Sequence, residues 1–436
     1  MKSQNLKEWS WIPSLYFAEG LPYVIVMNVA VTMYTRLGIS NTDIALYTSY
    51  LYLPWVIKPL WSPLIDLFKT KRWWIITMQL LIGGSLGGIA MVLPGPQFFK
   101  YTLAFMWLMA FSSATHDIAA DGFYMLQLNT ERQAYFVGIR NTFYRIAVIA
   151  GQGGIVILAG MLEKKFIGPG TEEKYSPEAW ALTIGVSAVI FTLIALLHSR
   201  TLPPTKEVTV VQEDSGYKAP RTLPAILKDF FNVFRDFLTK PQILIALAFI
   251  LFFRFSEAQL VKITTPFLLS GTDQGGLGLE TVQTGFIYGT LGVLCLTAGG
   301  ILGGIAISRT GLAYWLWPMT VAMNIPNIVY LWMAWQMPSS IPVISACVCI
   351  EQFGYGFGFT ALTCFMLEFS HGRNSTANYS ICTGFMALGM MLPGMISGYL
   401  QEELGYLHFF GWIMAATLPA FIMNMILKKR YSFKKI

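Results

Sequence analysis

Charge is scarce in this 436-residue chain: Asp, Glu, Lys and Arg make up only 12% of it, against 55% hydrophobic residues and a mean hydropathy of +0.54. Soluble domains carry about twice that share of charge, so a water-soluble enzyme is excluded and a lipid bilayer is the fitting solvent. Cysteine is also thin. Cys295, Cys347, Cys349, Cys364 and Cys382 all lie in apolar runs of the second half, without a Cys-x-x-Cys pair or a His cluster. Neither a disulfide nor a metal site is expected. No cofactor is expected: Gly354, Gly356 and Gly358 lack the Lys-Ser/Thr that would make a phosphate loop. The net charge of +7 does not imply nucleic acid, because the basic residues border the apolar runs. A cleavable signal peptide is not expected, since the first apolar stretch carries Glu19 and two prolines and no small-residue cleavage site.

What is present is a series of apolar runs, each about long enough to cross a bilayer, which takes roughly 20 helical residues. They predict twelve transmembrane helices near 11–34, 42–65, 73–94, 100–126, 133–160, 178–199, 241–269, 281–307, 312–336, 342–369, 375–400 and 406–427. The expected architecture is an all-α polytopic membrane protein of two six-helix bundles, residues 1–200 and 241–436. The linker 201–240 is expected to be cytoplasmic, with an amphipathic helix from Leu223 to Phe237 on the membrane surface. With both termini cytoplasmic, that face collects Lys2, Lys7, Lys69, Lys71, Arg72, Arg132, the linker's basic residues, Arg309, Arg373 and the C-terminal cluster. The opposite face collects only Arg36, Lys100, Lys164, Lys165 and Lys174, so charge bias selects this orientation. The halves also echo each other. Ser62-Pro-Leu-Ile-Asp66 after span 2 corresponds to the Gly304 to Gly311 stretch after span 8. Met125-Leu126-Gln127 with Arg132 after span 4 corresponds to Met366-Leu367-Glu368 with Arg373 after span 10, at nearly the same offset. Parallel repeats of six spans are a transporter construction.

A charge inside a span is costly, so it marks a pair or a wet passage. The charges fall on span 1 (Glu19), span 2 (Lys58), span 4 (Asp117, Asp121), span 5 (Arg140, Arg145), span 7 (Arg254, Glu257, Lys262) and span 10 (Glu351, Glu368); spans 3, 6, 9, 11 and 12 have none in their interiors. A polar cavity walled by the charged spans explains the pattern. Asp117 and Asp121 lie four apart on one helical face and cannot both stay ionised in low dielectric without a cation nearby, for which Arg140 and Arg145 are the expected partners. Glu19 sits beside Gly20 and Pro22, which weaken the helix; its plain alternative is a pair with Lys58 or Lys262. Arg254 and Glu257, three apart, can pair within their own helix, whereas Lys262 has no same-helix acid. Glu351, Gln352 and Tyr355 offer a polar lining for sugar hydroxyls, with Phe and Tyr faces to stack on a sugar ring, and the glycines at 354, 356 and 358 permit close helix contact. His116 suits either a proton relay or plain hydrogen bonding.

Four stretches, Tyr16-Phe-Ala-Glu-Gly-Leu-Pro22, Lys58-Pro-Leu-Trp-Ser-Pro-Leu-Ile-Asp66, Ser112-Ser-Ala-Thr-His-Asp-Ile-Ala-Ala-Asp121 and Gly138-Ile-Arg-Asn-Thr-Phe-Tyr144-Arg145, resemble the AmpG-type muropeptide permeases, a branch of the major facilitator superfamily related to acetyl-CoA transporters. The match is specific in the first half and architectural in the second. It departs from the family pattern at His116, where Gln is common, and in the loop after span 2, where Ser62 stands for glycine and Leu67 for a basic residue. The resemblance implies the major facilitator fold and an inner-membrane, proton-driven importer of 1,6-anhydromuropeptides.

The expectation is therefore a monomeric, non-enzymatic, proton-coupled transporter of a sugar or sugar-peptide, working by alternating access. Proton coupling is assigned to Glu19, Asp117 and Asp121. Substrate contacts are assigned to Lys58, Tyr144, Arg145, Lys262, Glu351, Gln352 and Tyr355, and gating to Asp66, Arg140, Arg254, Glu257, Arg309 and Glu368. Disaccharide, oligosaccharide or acetyl-CoA-like cargo remains the alternative; the near balance of buried cations and acids disfavours a polyphosphate site. An enzyme acting on lipid-linked sugars would need a catalytic carboxylate or His cluster at the surface, and the external acids show no such spacing.

Overall fold

The computed structural model describes residues 8–167, 176–204, 223–371 and 375–431, and among them every regular element is helical. Eight helices are long and apolar enough to cross a membrane by length and composition. One of the eight, Ala377–Arg430, is two spans meeting at Gly405, whose φ of +70° turns the chain where a loop was expected. Three further spans complete the twelve. Span 2 is split into Asn41–Tyr50 and Leu53–Leu67, span 4 is Phe98–Gln127 with Lys100, Asp117 and Asp121, and span 9 is interrupted by a 3-10 turn at Ile325–Asn327. Charge or a backbone break keeps these three from reading as uniform apolar helices.

The predicted span limits hold to within a few residues, with one consequential exception. Span 5 continues through a π-helical segment, Ala150–Ile155, to Phe166, so Glu163 belongs to a helix and not to an external loop. In span 1, Pro22 stays inside the helix Ile12–Val24 and the irregularity appears downstream, as a π segment at Ile25–Val29. Proline removes one donor without opening the chain here, and the wider turn takes up the register.

The outward faces of spans 3 and 6, with Leu80, Met91, Val189 and Leu193 all more than 45% exposed, form a belt suited to lipid. Inside, one apolar core unites residues of spans 1 to 6 with Ala258, Ala387, Met390 and Met391, and two others are built from residues beyond 236. The linker helix Leu223–Leu238 touches spans 2 and 11. Its Phe237 is fully buried in one of the later cores, so this end is docked on protein and not only on a membrane surface.

The two ends of the helix array differ. At one end, first-half and second-half helices interlock. Glu163 meets Arg36, Trp180 and Thr281, Lys164 pairs with Glu280 at 2.6 Å, and Asn41 donates to Gln401 and Tyr406. A Cβ on Gly398 would lie 1.9 Å from the Asn41 carbonyl oxygen, so only glycine lets spans 2 and 11 touch there. At the other end lie Arg132 with Glu8, Arg72 with the Ser199 carbonyl, and Lys240 with the Phe369 and His371 carbonyls.

Candidate functional site

Span 4 places Asp117 and Asp121 one turn apart, and each finds a different partner. Asp121 Oδ1 lies 3.2 Å from Arg140 Nη1 on span 5. Tyr16 of span 1 bridges the pair: its hydroxyl donates to Asp121 at 3.2 Å and accepts from Arg140 at 3.1 Å. The guanidinium also rides over the Tyr16 and Tyr124 rings, 4.6 and 5.3 Å from their centroids. Asp117 Oδ2 accepts from Trp55 Nε1 at 3.0 Å and stands 4.0 Å from Lys58 Nζ. Thus Arg140 takes the expected role toward the span 4 acids, while Arg145 does not; Lys58 holds Asp117 instead. Arg145 lies half-buried within electrostatic reach of Tyr144 and Tyr355. Glu19, three residues after Tyr16, lies within electrostatic reach of both ion pairs with Oε2 bonded to nothing, and the alternative pairing with Lys58 or Lys262 is not made. Side-chain exposures are 42% for Asp121, 27% for Arg140, 24% for Lys58 and 14% for Asp117, so the cluster is partly open at Asp121, while Asp117 Oδ1 is buried without a partner.

The second-half charges are drier. The same-helix pair of Arg254 and Glu257 is not formed. Arg254 is the N-cap of the helix Phe255–Leu269, with φ −108° and ψ 21°, and its side chain is directed to other partners. Its guanidinium instead hydrogen-bonds the Tyr355 hydroxyl and covers the Tyr355 and Phe359 rings. Lys262, 1% exposed, donates to Thr48 Oγ1 of span 2 at 2.9 Å and lies over Tyr52. Glu351 and Gln352 are also buried. Glu351 Oε2 accepts from Tyr330 at 3.1 Å and from Gln352 at 3.0 Å, so in this state both face neighbouring helices and not open space. The glycines beside them act by contact: a Cβ on Gly356 would fall 1.9 Å from the Leu296 carbonyl oxygen of span 8. Tyr144 and Tyr355 keep partial exposure.

Four candidates remain. The side chain of Asp66 falls outside the described residues. Arg309 is exposed in the last turn of span 8, and Glu368 is half-buried near the end of span 10. His116 turns away from Asp117, into spans 3 and 6. Gln79 lies 3.0 Å from His116 Nε2 and 2.9 Å from His198 Nδ1, and His198 Nε2 is 2.9 Å from Ser14 Oγ. His116, Gln79 and His198 are all fully buried, and His116 Nδ1 has no hydrogen-bond partner.

Four participants escaped the sequence reading. Tyr16 was signalled, in retrospect, by its i, i+3 spacing to Glu19; Trp55 and Gln79 carried no charge to attract notice. The fourth is Glu163, 4% exposed, which accepts from Arg36 Nε at 3.3 Å, Trp180 Nε1 at 2.9 Å and Thr281 Oγ1 at 2.6 Å. Above this knot lies a cavity of about 700 Å³ lined by Arg36, Glu163, Lys164, Ser270, Asp273, Glu280 and neighbours. None of the predicted site residues is on its wall.

Paired inner-facing charges between helices sealed at one end are the arrangement of an alternating-access carrier, and residues 14–392 match the Major Facilitator Superfamily. The chain belongs to that superfamily. It is 24% identical over 430 residues to the anhydromuropeptide permease of Escherichia coli K12, covering 97% of this chain and 80% of that one. It is 25% identical over 427 residues to the putative transporter AmpG 4 of Rickettsia conorii, covering 95% of both. Among solved structures, a bacterial homolog of the human lysosomal transporter Spinster, inward-facing and unoccupied, superposes with a TM-score of 0.71 at 16% identity, covering 98% of this chain and 97% of that one. The xylose transporter XylE from E. coli, in a partially occluded inward-open conformation, gives 0.66 at 11% identity, covering 97% and 98%. This major facilitator chain is a multi-pass membrane protein of two six-helix bundles, a secondary transporter of a small molecule and not an enzyme.

Proposed function

We propose that this transporter imports 1,6-anhydromuropeptides, or a similar amino-sugar conjugate, across the bacterial inner membrane in symport with protons. The observation that carries the reading is the partly exposed cluster in which Tyr16 bridges Asp121 and Arg140 while Lys58 holds Asp117 and Glu19 lies within electrostatic reach with Oε2 unbonded. Protonating a carboxylate of this cluster neutralises it and frees its basic partner, which lowers the barrier to rocking one bundle against the other. The bundles are residues 1–200 and 241–436, joined by the cytoplasmic linker 201–240, and the working unit is a monomer. The charge bias puts both termini in the cytoplasm, so the interlocked Glu163 end faces the periplasm.

In the same reading, Lys58, Arg145 and Lys262 receive lactyl or peptide carboxylates, and Tyr144, Tyr355 and Gln352 serve the sugar. The printed name of the E. coli relative supplies the substrate class, and the mixture of cations and aromatic rings around the centre suits it. The test is uptake into proteoliposomes under an imposed pH gradient, with anhydromuropeptides, free amino sugars, disaccharides and acetyl-CoA as the panel. Accumulation of anhydromuropeptide that collapses with a protonophore supports the proposal. Accumulation of another member of the panel, or uptake indifferent to the gradient, replaces it.

A further inference from the structure

Span 2 is broken at Leu51 and Tyr52, between the helices Asn41–Tyr50 and Leu53–Leu67, and its two pieces bond to different halves of the protein. In the first piece, Asn41 donates to Gln401 of span 11 and Tyr406 of span 12, and Thr42 donates to Glu402. In the second piece, Trp55 Nε1 donates to Asp117 Oδ2 of span 4 at 3.0 Å, and Lys58 Nζ stands 4.0 Å from the same oxygen. At the joint, the Tyr52 amide bonds the Ser49 carbonyl and the Trp55 amide bonds the Tyr52 carbonyl. These bonds reach three residues back instead of four, a tighter turn with poorer hydrogen-bond geometry.

Lys262 of span 7 is seated across this joint. Its ammonium donates to Thr48 Oγ1 of the first piece at 2.9 Å and lies 5.3 Å from the centroid of the Tyr52 ring. The Thr48 hydroxyl gives its own hydrogen to the Ile44 carbonyl at 2.6 Å, which leaves a lone pair turned to the lysine. Thr48, Tyr52, Trp55 and Lys58 follow one another at helical spacing, so one side of span 2 runs from Lys262 to Asp117.

We infer that span 2 carries the charge state of Asp117 across to the second half, with the joint at Leu51 and Tyr52 as the moving part and Trp55 and Thr48 as positioning residues. The inference rests on the symport reading for the role of Asp117. Protonating Asp117 weakens two charge-assisted contacts together, and both belong to the second piece of span 2. That piece then turns at the joint, Tyr52 shifts relative to Thr48, and the seat of Lys262 comes apart. Asp121, Glu19, Tyr23 and Tyr144 also stand within electrostatic reach of Asp117. Among the described residues, however, the hydrogen-bonded and ion-paired contacts of Asp117 are those with Trp55 and Lys58, and Tyr23 packs edge-on against the Trp55 ring at 5.2 Å.

A thiol-reactivity cycle on the full-length protein in lipid tests this, with the native cysteines replaced and Leu269→Cys, on the same helix as Lys262, as the reporter. Asp117→Asn removes the charge as protonation does, and it should speed alkylation of the reporter about tenfold, within the range of coupling between linked groups. Thr48→Val keeps the shape of the side chain but removes the acceptor, so in that background the response to Asp117→Asn should vanish. Thr48→Ser restores the hydroxyl and should restore the response. Equal responses in Thr48→Val and Thr48→Ser, or no response to Asp117→Asn with Thr48 intact, overturn the inference. If the protein shows no uptake driven by a pH gradient while the cycle behaves as expected, the symport reading fails and the link through span 2 stands. If gradient-driven uptake is found and the response to Asp117→Asn ignores Thr48, the reverse holds.

Discussion

Glu163 on span 5 and Thr281 at the start of span 8 are joined by a 2.6 Å hydrogen bond across the two halves of the chain. The carboxylate is buried and also holds Arg36 and Trp180, so one acid ties three other helices to its own at the end where the halves interlock. Removing the charge in Glu163→Gln should cost about 1.5–3 kcal/mol of that closure, the usual worth of hydrogen bonds to a charged group. Alkylation of a Leu269→Cys reporter on the cavity wall, in a chain with the native cysteines replaced, should then speed up by at least tenfold. An unchanged rate would remove Glu163 from the closure.

Gly398 is a backbone contact and has no flexible neighbour to give way. Its replacement by Ala would press a methyl on the Asn41 carbonyl, with an overpacking cost of about 1–3 kcal/mol. Gly398→Ala should lower the melting temperature and favour the state in which spans 2 and 11 part. Normal melting with normal thiol reactivity at the closed end would contradict this.

Tyr16→Phe separates bridging from pairing. Arg140 keeps its direct contact with Asp121 and its place over the ring, so the loss should be about 1.5–3 kcal/mol, the range for hydrogen bonds to charged groups, and transport should be slowed but still uphill. Asp121→Asn should abolish accumulation while leaving exchange. Equal effects of the two substitutions would mean that the hydroxyl, and not the carboxylate, carries the coupling.

Gln79→Leu tests the role of His116. It leaves His116 and His198 buried with unmet polar atoms, at about 1–3 kcal/mol each, so thermal stability should fall while the ratio of protons to substrate in coupled uptake stays the same. A changed ratio would make the His116 chain a proton path.

Lys262→Met addresses a buried cation with no acid bonded to it. Replacing a buried charge by an apolar residue of similar volume is commonly neutral for stability, so the fold should persist. Uptake of substrates bearing a carboxylate should suffer more than uptake of neutral sugars; parallel losses would show that Lys262 serves only to join spans 2 and 7.

The sequence by itself determined the spans, their number and which of them carry charge, because the energetics of a bilayer act residue by residue and leave a direct imprint on composition. It also placed Asp117 and Asp121 on one face, since helical spacing is local, and Arg140 was a recognisable partner by depth. Only the tertiary structure decided who meets whom. Arg254 bound Tyr355 of span 10 and not Glu257, Lys58 and not Arg145 took Asp117, and Glu163 moved from a supposed loop into the closure between the halves. These outcomes depend on how helices rotate and lean against one another. That is fixed by close contacts such as Gly398 against Asn41, a property of two distant segments together that neither segment records alone.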